Sequence, residues 1–148
     1  MDLSYPPEAE EFRAEIRAWL HENLPEGWFD EGFEMTDEER RAFNEQWPQK
    51  LFEGGWICAT WPKEYGGQGR SDIEQYIFFD ESMRAGAPVP MLTINTVGPT
   101  IMRMGSEEQK KEWLPRLATG EVIGAYALTE QSSGSDALAA KTTAPSPT

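Results

Sequence analysis

The sequence predicts a mainly α-helical fold, a helical bundle that leads into the first strand of an incomplete β domain. Three observations support this prediction. Apolar residues recur at helical spacing through most of the first 120 residues, two segments begin with capping boxes, and β-branched and aromatic residues cluster only at residues 122–130. The predicted divisions are a helical domain over residues 1–121, the start of a β domain over 122–136 and a flexible tail over 137–148.

Composition restricts the class of protein. The 148 residues are 39% hydrophobic and include six tryptophans, which is enough apolar material for a folded core. The net charge of −13 repels phosphate groups, so nucleic acid and anionic membranes are excluded as expected partners. No apolar run approaches the roughly 18 residues of a membrane span and no signal peptide opens the chain, so a cytoplasmic protein is expected.

The chain has too few cysteine and histidine residues for a disulfide or for a Cys/His metal site. Cys58 is the only cysteine, which excludes a disulfide within the chain, and it is expected to be a small buried apolar residue. His21 is the only histidine and is expected at the surface or half-buried. A Cys/His catalytic pair is therefore weakly supported, and we expect no metal site.

The first predicted helix begins after two prolines and has Phe12, Ile16 and Leu20 at helical spacing. Pro25 ends it. The second begins with a capping box, Thr36 with Glu39 three residues later, and ends at a pair of glycines. Pro48 lies inside it and is expected to kink the helix or to divide it into two.

Three glycines in the following loop, Gly66, Gly67 and Gly69, admit two interpretations. They could cradle a phosphate, but no clear strand precedes them and no Lys-Ser/Thr pair follows, so a tight turn is favoured. Ser71 and Glu74 then form a second capping box. The helix that follows is apolar on several sides, which predicts a place in the middle of a bundle.

Residues 89–105 are nearly uncharged and could form a strand or a helix. Their length and the terminal glycine favour a buried helix, distorted at Gly98 and Pro99. A capped amphipathic helix is predicted from Ser106 to about Thr119. The strand predicted at 122–130 is the first in the chain, and a lone strand cannot satisfy its own backbone groups. It predicts a longer protein or an assembly.

Three stretches, in this order along the chain, together resemble the acyl-CoA dehydrogenase family. They are TWPKEYGGQG at 60–69, VGPTIMRMGSEEQKKEWLPRLATGE at 97–121 and AYALTEQSSGSD at 125–136, and the last is similar to the family's flavin signature. The resemblance covers about residues 5 to 144. It implies an N-terminal helical domain followed by the opening strand of a middle β-barrel domain, without the C-terminal four-helix domain.

The resemblance also implies the chemistry and the residues that serve it. Members of the family use FAD to dehydrogenate the Cα–Cβ bond of an acyl-CoA thioester, and electron-transferring flavoprotein is the expected redox partner. Tyr126, Leu128 and Thr129 would lie against the isoalloxazine ring, with Thr129 bonding its pyrimidine edge. Gly134 would let the backbone come close, and Ser135 would contact both the flavin and the thioester ligand.

Departures from the family pattern lie in the same stretch. The usual proline after Thr-Glu is Gln131, and the small pair before Gly-Ser-Asp is Ser132 and Ser133. The family's catalytic carboxylate comes from the absent C-terminal domain, so we expect no catalytic residue in this chain. Glu130 and Asp136 are expected to form hydrogen bonds in the turn.

Several alternatives remain open at this stage. The chain could be a shortened, inactive N-terminal portion, or a short subunit of a heteromeric dehydrogenase. It could also be a helical interaction module without redox chemistry. A homo- or hetero-oligomer is expected in either of the first two cases. The helix around residues 93–99 could line an acyl pocket or belong to the bundle core.

Overall fold

Five α-helices account for about half of residues 5–143, the part of the chain that the computed structural model describes. No regular strand occurs in that part, and the predicted mainly α-helical class is confirmed. No helix within it is long and apolar enough to cross a membrane. The helices are α1 (Pro7–Asn23), α2 (Asp37–Glu53), α3 (Asp72–Arg84), α4 (Gly98–Met104) and α5 (Glu107–Ala118), with 3₁₀ turns at Lys63–Tyr65 and Ala137–Ala139 and a π-helical turn at Thr93–Val97.

Side-chain caps begin three of the helices. At α2 the Thr36 hydroxyl accepts from the N–H of Glu39 at 3.2 Å, and the Glu39 carboxylate accepts from the N–H of Thr36 at 2.8 Å. These bonds satisfy backbone donors that have no partner inside the helix, and the bond from the Thr36 backbone lowers the pKa of Glu39. The same reciprocal pair begins α3 and α5, in Ser71 with Glu74 and in Ser106 with Gln109.

The core is formed by one face of each long helix and by the loop after α2. Trp19 joins two aromatic neighbours, with ring centroids 5.5 Å from Trp47 and 5.8 Å from Trp56. Cys58 is buried as predicted, and burial raises the pKa of its thiol to about 12. His21 is exposed and stacks on Phe29. The fully or almost fully buried helix residues include Phe12, Ile16, Leu20, Leu51, Ile77, Phe78, Leu114 and Leu117.

Pro48 does not divide α2, which runs as one helix from Asp37 to Glu53. The N–H that proline lacks would have bonded the carbonyl of Asn44, a residue on the exposed side of the helix, where water can serve instead. The buried Pro48 ring packs against Gly120, where an added Cβ would lie 2.6 Å from the Pro48 Cβ. The proline ring is thus buried in the core, and the carbonyl that it leaves without a helix partner lies on the exposed side.

The predicted central position of α3 is wrong. Only one face of this helix, which carries Ile77 and Phe78, is buried against the rest of the bundle. Ile73, Tyr76 and Met83 are 43%, 54% and 70% exposed, respectively. The apolar pattern of a helix indicates which residues could be buried. The number of helices packed around it determines how many of them are buried.

A buried carboxylate joins α3 to α1. Glu81 is 4% exposed and accepts hydrogen bonds from Arg13 and from Arg17, whose Nε lies 2.6 Å from a Glu81 oxygen. Arg13 also donates to Asp80 at 2.9 Å. Burial raises the pKa of Glu81, but the bonds from Arg17 and Arg13 outweigh burial and hold it below its ordinary value. The group is therefore a charged, fully bonded link between two helices.

Replacement of Glu81 with Gln should destabilise the fold, because it leaves two guanidinium groups without their shared anion. We expect a loss of about 3 kcal/mol in the free energy of unfolding, measured by urea denaturation at neutral pH. The contribution should be present above pH 4.5 and disappear as the pH falls through the lowered pKa of Glu81. As a control, Glu121→Gln removes an exposed partner of Arg116 and should cost at most about 0.5 kcal/mol. Equal effects of the two substitutions would contradict the assignment.

The π-turn before α4 has a specific cause in Pro99. Proline has no N–H, so a regular α register would leave the carbonyl of Asn95 without its donor. In the π register the N–H of Gly98 bonds the carbonyl of Thr93, and the unmatched acceptor becomes the carbonyl of Ile94. The indole N–H of Trp61 donates to that buried carbonyl at 3.1 Å. The predicted distortion at Gly98 and Pro99 is confirmed, although one face of this helical segment is exposed and not buried as expected.

Gly98 allows the Trp61 indole to approach the helix. A Cβ at this glycine would lie 2.0 Å from Trp61 Cζ2, so Gly98→Ala must displace the ring or the helix. We expect a loss of stability of at least about 2 kcal/mol in urea denaturation. Gly134→Ala is the control, because a Cβ there meets nothing within 4 Å, and it should change stability by less than about 0.5 kcal/mol. Wild-type stability of Gly98→Ala would show that the indole contact is not tight.

Candidate functional site

The segment that carries the flavin-like motif is anchored to the π-turn at its start. The N–H of Gly124 donates to the hydroxyl of Thr93 at 2.9 Å, and Thr93 is 2% exposed. Gly124 also lies close to Val97, because an added Cβ would be 2.7 Å from a Val97 methyl. The chain therefore leaves the bundle at a fixed point, directly over the π-turn.

The strand predicted at residues 122–130 is wrong for this structure. Within the described residues, the segment 125–129 makes no backbone hydrogen bond, and the only β pairing is an isolated antiparallel bridge between Glu130 and Ser133. A strand exists through its ladder to a neighbour, and nothing in the described part of the chain supplies one. The residue pattern is that of a strand, but its partner is missing.

Three of the predicted flavin contacts lie on the surface of this segment. Tyr126 is 65% exposed, Leu128 is 43% exposed, and Thr129 is also exposed. The segment is neither helical nor enclosed by the bundle. The segment therefore exposes an aromatic ring, an aliphatic side chain and backbone amides that have no partner among the described residues.

The other two predicted contacts lie beyond the bridge. Gly134 and Ser135 are exposed, and a Cβ added at Gly134 would meet no atom within 4 Å. Nothing within the described chain therefore requires a glycine at this position. Between the two groups, Ser133 is 9% exposed and its hydroxyl has no hydrogen-bond partner among the described residues. A buried hydroxyl without a partner is uncommon in folded proteins, and this one lies in the turn between the two groups of predicted contacts.

Glu130 bonds within the loop, as expected for it. Its two carboxylate oxygens accept from the N–H groups of Lys141 and Thr142 at 2.9 and 2.8 Å. Bonding from Thr142, followed by that from the Lys141 N–H, lowers the pKa of Glu130. Sequence reasoning did not identify these partners, nor the role of Thr93, because they lie 11 to 31 residues away along the chain. Asp136 contributes its backbone carbonyl to the 3₁₀ turn.

The glycines of the loop after α2 form a turn and not a phosphate cradle. The N–H of Gly67 donates to the carbonyl of Pro62, and the N–H of Gly69 donates to the carbonyl of Trp61, both at 3.1 Å. These amides point into the protein's own backbone and are not free to bind an anion. The favoured interpretation of this motif is confirmed.

Comparison with known proteins identifies the family. The profile described as "Acyl-CoA dehydrogenase, N-terminal domain" matches residues 6–121. The chain belongs to the acyl-CoA dehydrogenase family. Acyl-CoA dehydrogenase FadE26 of Mycobacterium tuberculosis is 40% identical over 156 aligned residues, which cover 97% of this chain and 36% of that relative. The chain thus spans about a third of the length of this relative.

Solved structures of the family share the fold. The "ChsE4-ChsE5 complex from Mycobacterium tuberculosis" matches with a TM-score of 0.78 and 41% identity, over 97% of this chain and 36% of that one. The "Tcur3481-Tcur3483 steroid ACAD" matches with a TM-score of 0.77 and 43% identity, over 96% and 36%. An acyl-CoA dehydrogenase complexed with FAD from Bacillus anthracis matches with a TM-score of 0.70 and 30% identity, over 93% and 23%.

The anchor at Thr93 gives a testable expectation for this acyl-CoA dehydrogenase chain. Thr93→Val keeps the shape of the side chain but removes the acceptor for the N–H of Gly124. We expect faster hydrogen exchange at the Gly124 amide and a loss of about 1 kcal/mol in the free energy of unfolding. Thr100→Val, on the exposed side of α4, is the matched control and should change neither quantity. Unchanged exchange at Gly124 in Thr93→Val would show that the bond does not anchor the segment.

Proposed function

We propose that the protein to which this chain belongs is an FAD-dependent dehydrogenase that acts at the Cα–Cβ bond of an acyl-CoA thioester. One observation carries the proposal. In a chain of this family, the segment that resembles the flavin signature projects from the helical domain with exposed side chains and backbone amides that have no partner among the described residues. Such amides are the kind of donor that a flavin edge requires.

The proposed roles follow the exposure of the residues. Tyr126 and Leu128 pack against the isoalloxazine ring, and Thr129 bonds its pyrimidine edge. Gly134 leaves room for the ring system, and Ser135 bonds both the cofactor and the thioester ligand. FAD, when bound, accepts the hydride from Cβ. The family relative complexed with FAD supports this choice of cofactor.

The α proton requires a base from outside the described residues. Glu130 is one of the two acidic side chains of the motif, with Asp136, but both of its oxygens are occupied by backbone N–H groups and its pKa is lowered, so it is a poor proton acceptor. We propose that a carboxylate elsewhere in the longer protein removes the proton, and that the 148 residues alone do not turn over. Electron-transferring flavoprotein is the proposed acceptor of electrons from the reduced cofactor.

The acyl group is proposed to be a steroid or similarly bulky ring system. The support is the greater likeness to the steroid ACAD, at 43% identity and a TM-score of 0.77, than to the Bacillus anthracis enzyme, at 30% and 0.70. The solved ChsE4-ChsE5 complex, at 41% identity, favours a heteromeric dehydrogenase as the assembly.

A helical interaction module is the second candidate. It is favoured by the exposed apolar residues Ile123, Tyr126 and Leu128, which a protein partner could also cover. The two candidates differ in one measurable property, because only the dehydrogenase assignment requires affinity of these residues for flavin.

Titration of the chain with FAD, followed by flavin fluorescence, tests the proposal. Gly134→Val should weaken binding at least about tenfold, since it blocks the approach of the ring system, while its thermal unfolding stays unchanged because no atom surrounds Gly134. Ile123→Ala, upstream of the proposed contacts, is the control and should bind as the wild type does. Absence of FAD binding, or equal binding by the Gly134 variant, favours the interaction module.

Turnover is tested separately, with a panel of acyl-CoA thioesters and an artificial electron acceptor. The homogeneous 148-residue chain should be inactive, because the carboxylate that removes the α proton is proposed to lie elsewhere in the longer protein. Activity of this chain alone would falsify the proposal that the base lies elsewhere.

A further inference from the structure

We infer that Glu130 is a positioning residue: its carboxylate closes residues 130–142 into one loop and so determines where Gly134 and Ser135 lie relative to segment 125–129. The inference deepens the proposed function, because the role of the loop in binding flavin rests on that proposal. The closure itself rests on contacts within the chain.

Both carboxylate oxygens take part in the closure. One accepts from the N–H of Lys141 at 2.9 Å and the other from the N–H of Thr142 at 2.8 Å. Hydrogen bonds to an ionised acceptor are roughly twice as strong as bonds between neutral groups. Two successive amides and one carboxylate therefore form a two-point clamp across 11 and 12 residues of chain.

The other contacts of the loop are local. The bridge between Glu130 and Ser133, with bonds of 3.0 and 3.2 Å, closes only the first turn. The 3₁₀ turn at Ala137–Ala139 bonds only to its own residues. Within residues 5–143, no hydrogen bond joins positions 134–143 to any of the helices. The Glu130 clamp is thus the bond that ties the far end of the loop to the flavin-like segment.

The two hydrogen bonds at position 130 require both the length and the charge of a glutamate side chain. Glutamine would offer one acceptor and would direct its NH₂ group towards a backbone N–H, which is a donor facing a donor. Aspartate is shorter by one methylene group, so the two ends of the loop must move closer for its carboxylate to reach both amides. Neither substitute can reproduce the two-point clamp in its present geometry.

Gly134 and Ser135 depend on this closure for their position. Both are exposed, and Gly134 has no neighbouring atom within 4 Å of an added Cβ, so packing does not hold them. The bridge at Ser133 holds the chain on one side of them and the Glu130 clamp holds it on the other, so the two together set their location relative to Tyr126 and Thr129. The clamp thereby helps to hold Gly134 and Ser135 in a defined position relative to the proposed flavin contacts at residues 126–129.

Hydrogen exchange of backbone amides tests the closure in the complete 148-residue chain. Glu130→Gln should lower the protection of the Lys141 and Thr142 amides at least about fivefold, while amides of α1 and α3 keep their protection. Asp136→Asn removes the same charge from the same loop, but its side chain accepts no bond among the described residues, so these two amides should keep their protection. Equal protection in Glu130→Gln and wild type, or an equal loss in both variants, overturns the inference.

A spin label at Ser135→Cys reports on the position of the loop without any ligand. The native Cys58 is buried and should remain unlabelled. Glu130→Gln should make the label more mobile, and Glu130→Asp should give an intermediate or equally mobile label, whereas Asp136→Asn should leave its spectrum unchanged. An unchanged spectrum in Glu130→Gln overturns the positioning role even where exchange shows that the two bonds are lost.

FAD titration of the same variants separates this inference from the proposed function. If the wild-type chain binds FAD, Glu130→Gln should weaken binding while the bundle stays folded, and equal affinity overturns the positioning role. If the wild-type chain binds no FAD, the assignment of the loop to flavin fails, and the exchange and spin-label results still decide whether Glu130 positions the loop.

Discussion

The contact between the Trp61 indole and the helix at Gly98 is the constraint on which the site depends. Pro99 removes a helix donor, the π register moves the unmatched carbonyl to Ile94, and Trp61 supplies the missing N–H. That register also determines which residue of the turn faces the next segment. It directs the hydroxyl of Thr93 to the N–H of Gly124, where the flavin-like segment begins. The Trp61 side chain thus connects the π-turn to the position at which the flavin-like segment begins.

The helical domain provides a rigid support for this arrangement through two kinds of contact. Aromatic and aliphatic side chains fill the core, and the carboxylate of Glu81 joins α1 to α3 through Arg13 and Arg17. A buried ion cluster of this kind contributes less to net stability than an apolar core, but separating its partners leaves a buried charge uncompensated, which opposes displacement of one helix from the other. The exposed segment therefore extends from a base whose geometry is closely defined.

The sequence predicted correctly those features that depend only on residues close together along the chain. Capping residues such as Thr36 and Ser71 and the distortion at Pro99 depend on neighbours within five residues, and each was predicted correctly. The central position of α3 was predicted wrongly, since burial depends on how many helices surround it. The motif located the candidate flavin contacts, yet their strand was not formed, because a ladder requires a second segment that the pattern of the first cannot supply.

An unpaired segment between one anchor and one closed loop suits the binding of a planar cofactor. Among the described residues, the amides of 125–129 take no part in intrachain hydrogen bonds, so a ligand competes only with water for them. The bond from Gly124 to Thr93 meanwhile fixes the start of the segment on the bundle, and the Glu130 clamp orders the loop that follows it, which reduces the conformational entropy that binding would otherwise cost. A segment paired in a sheet would lack the free donors, and one followed by an open loop would lack the order. The combination of an anchored start, an unsatisfied middle and a closed loop is what separates a binding segment from an ordinary loop.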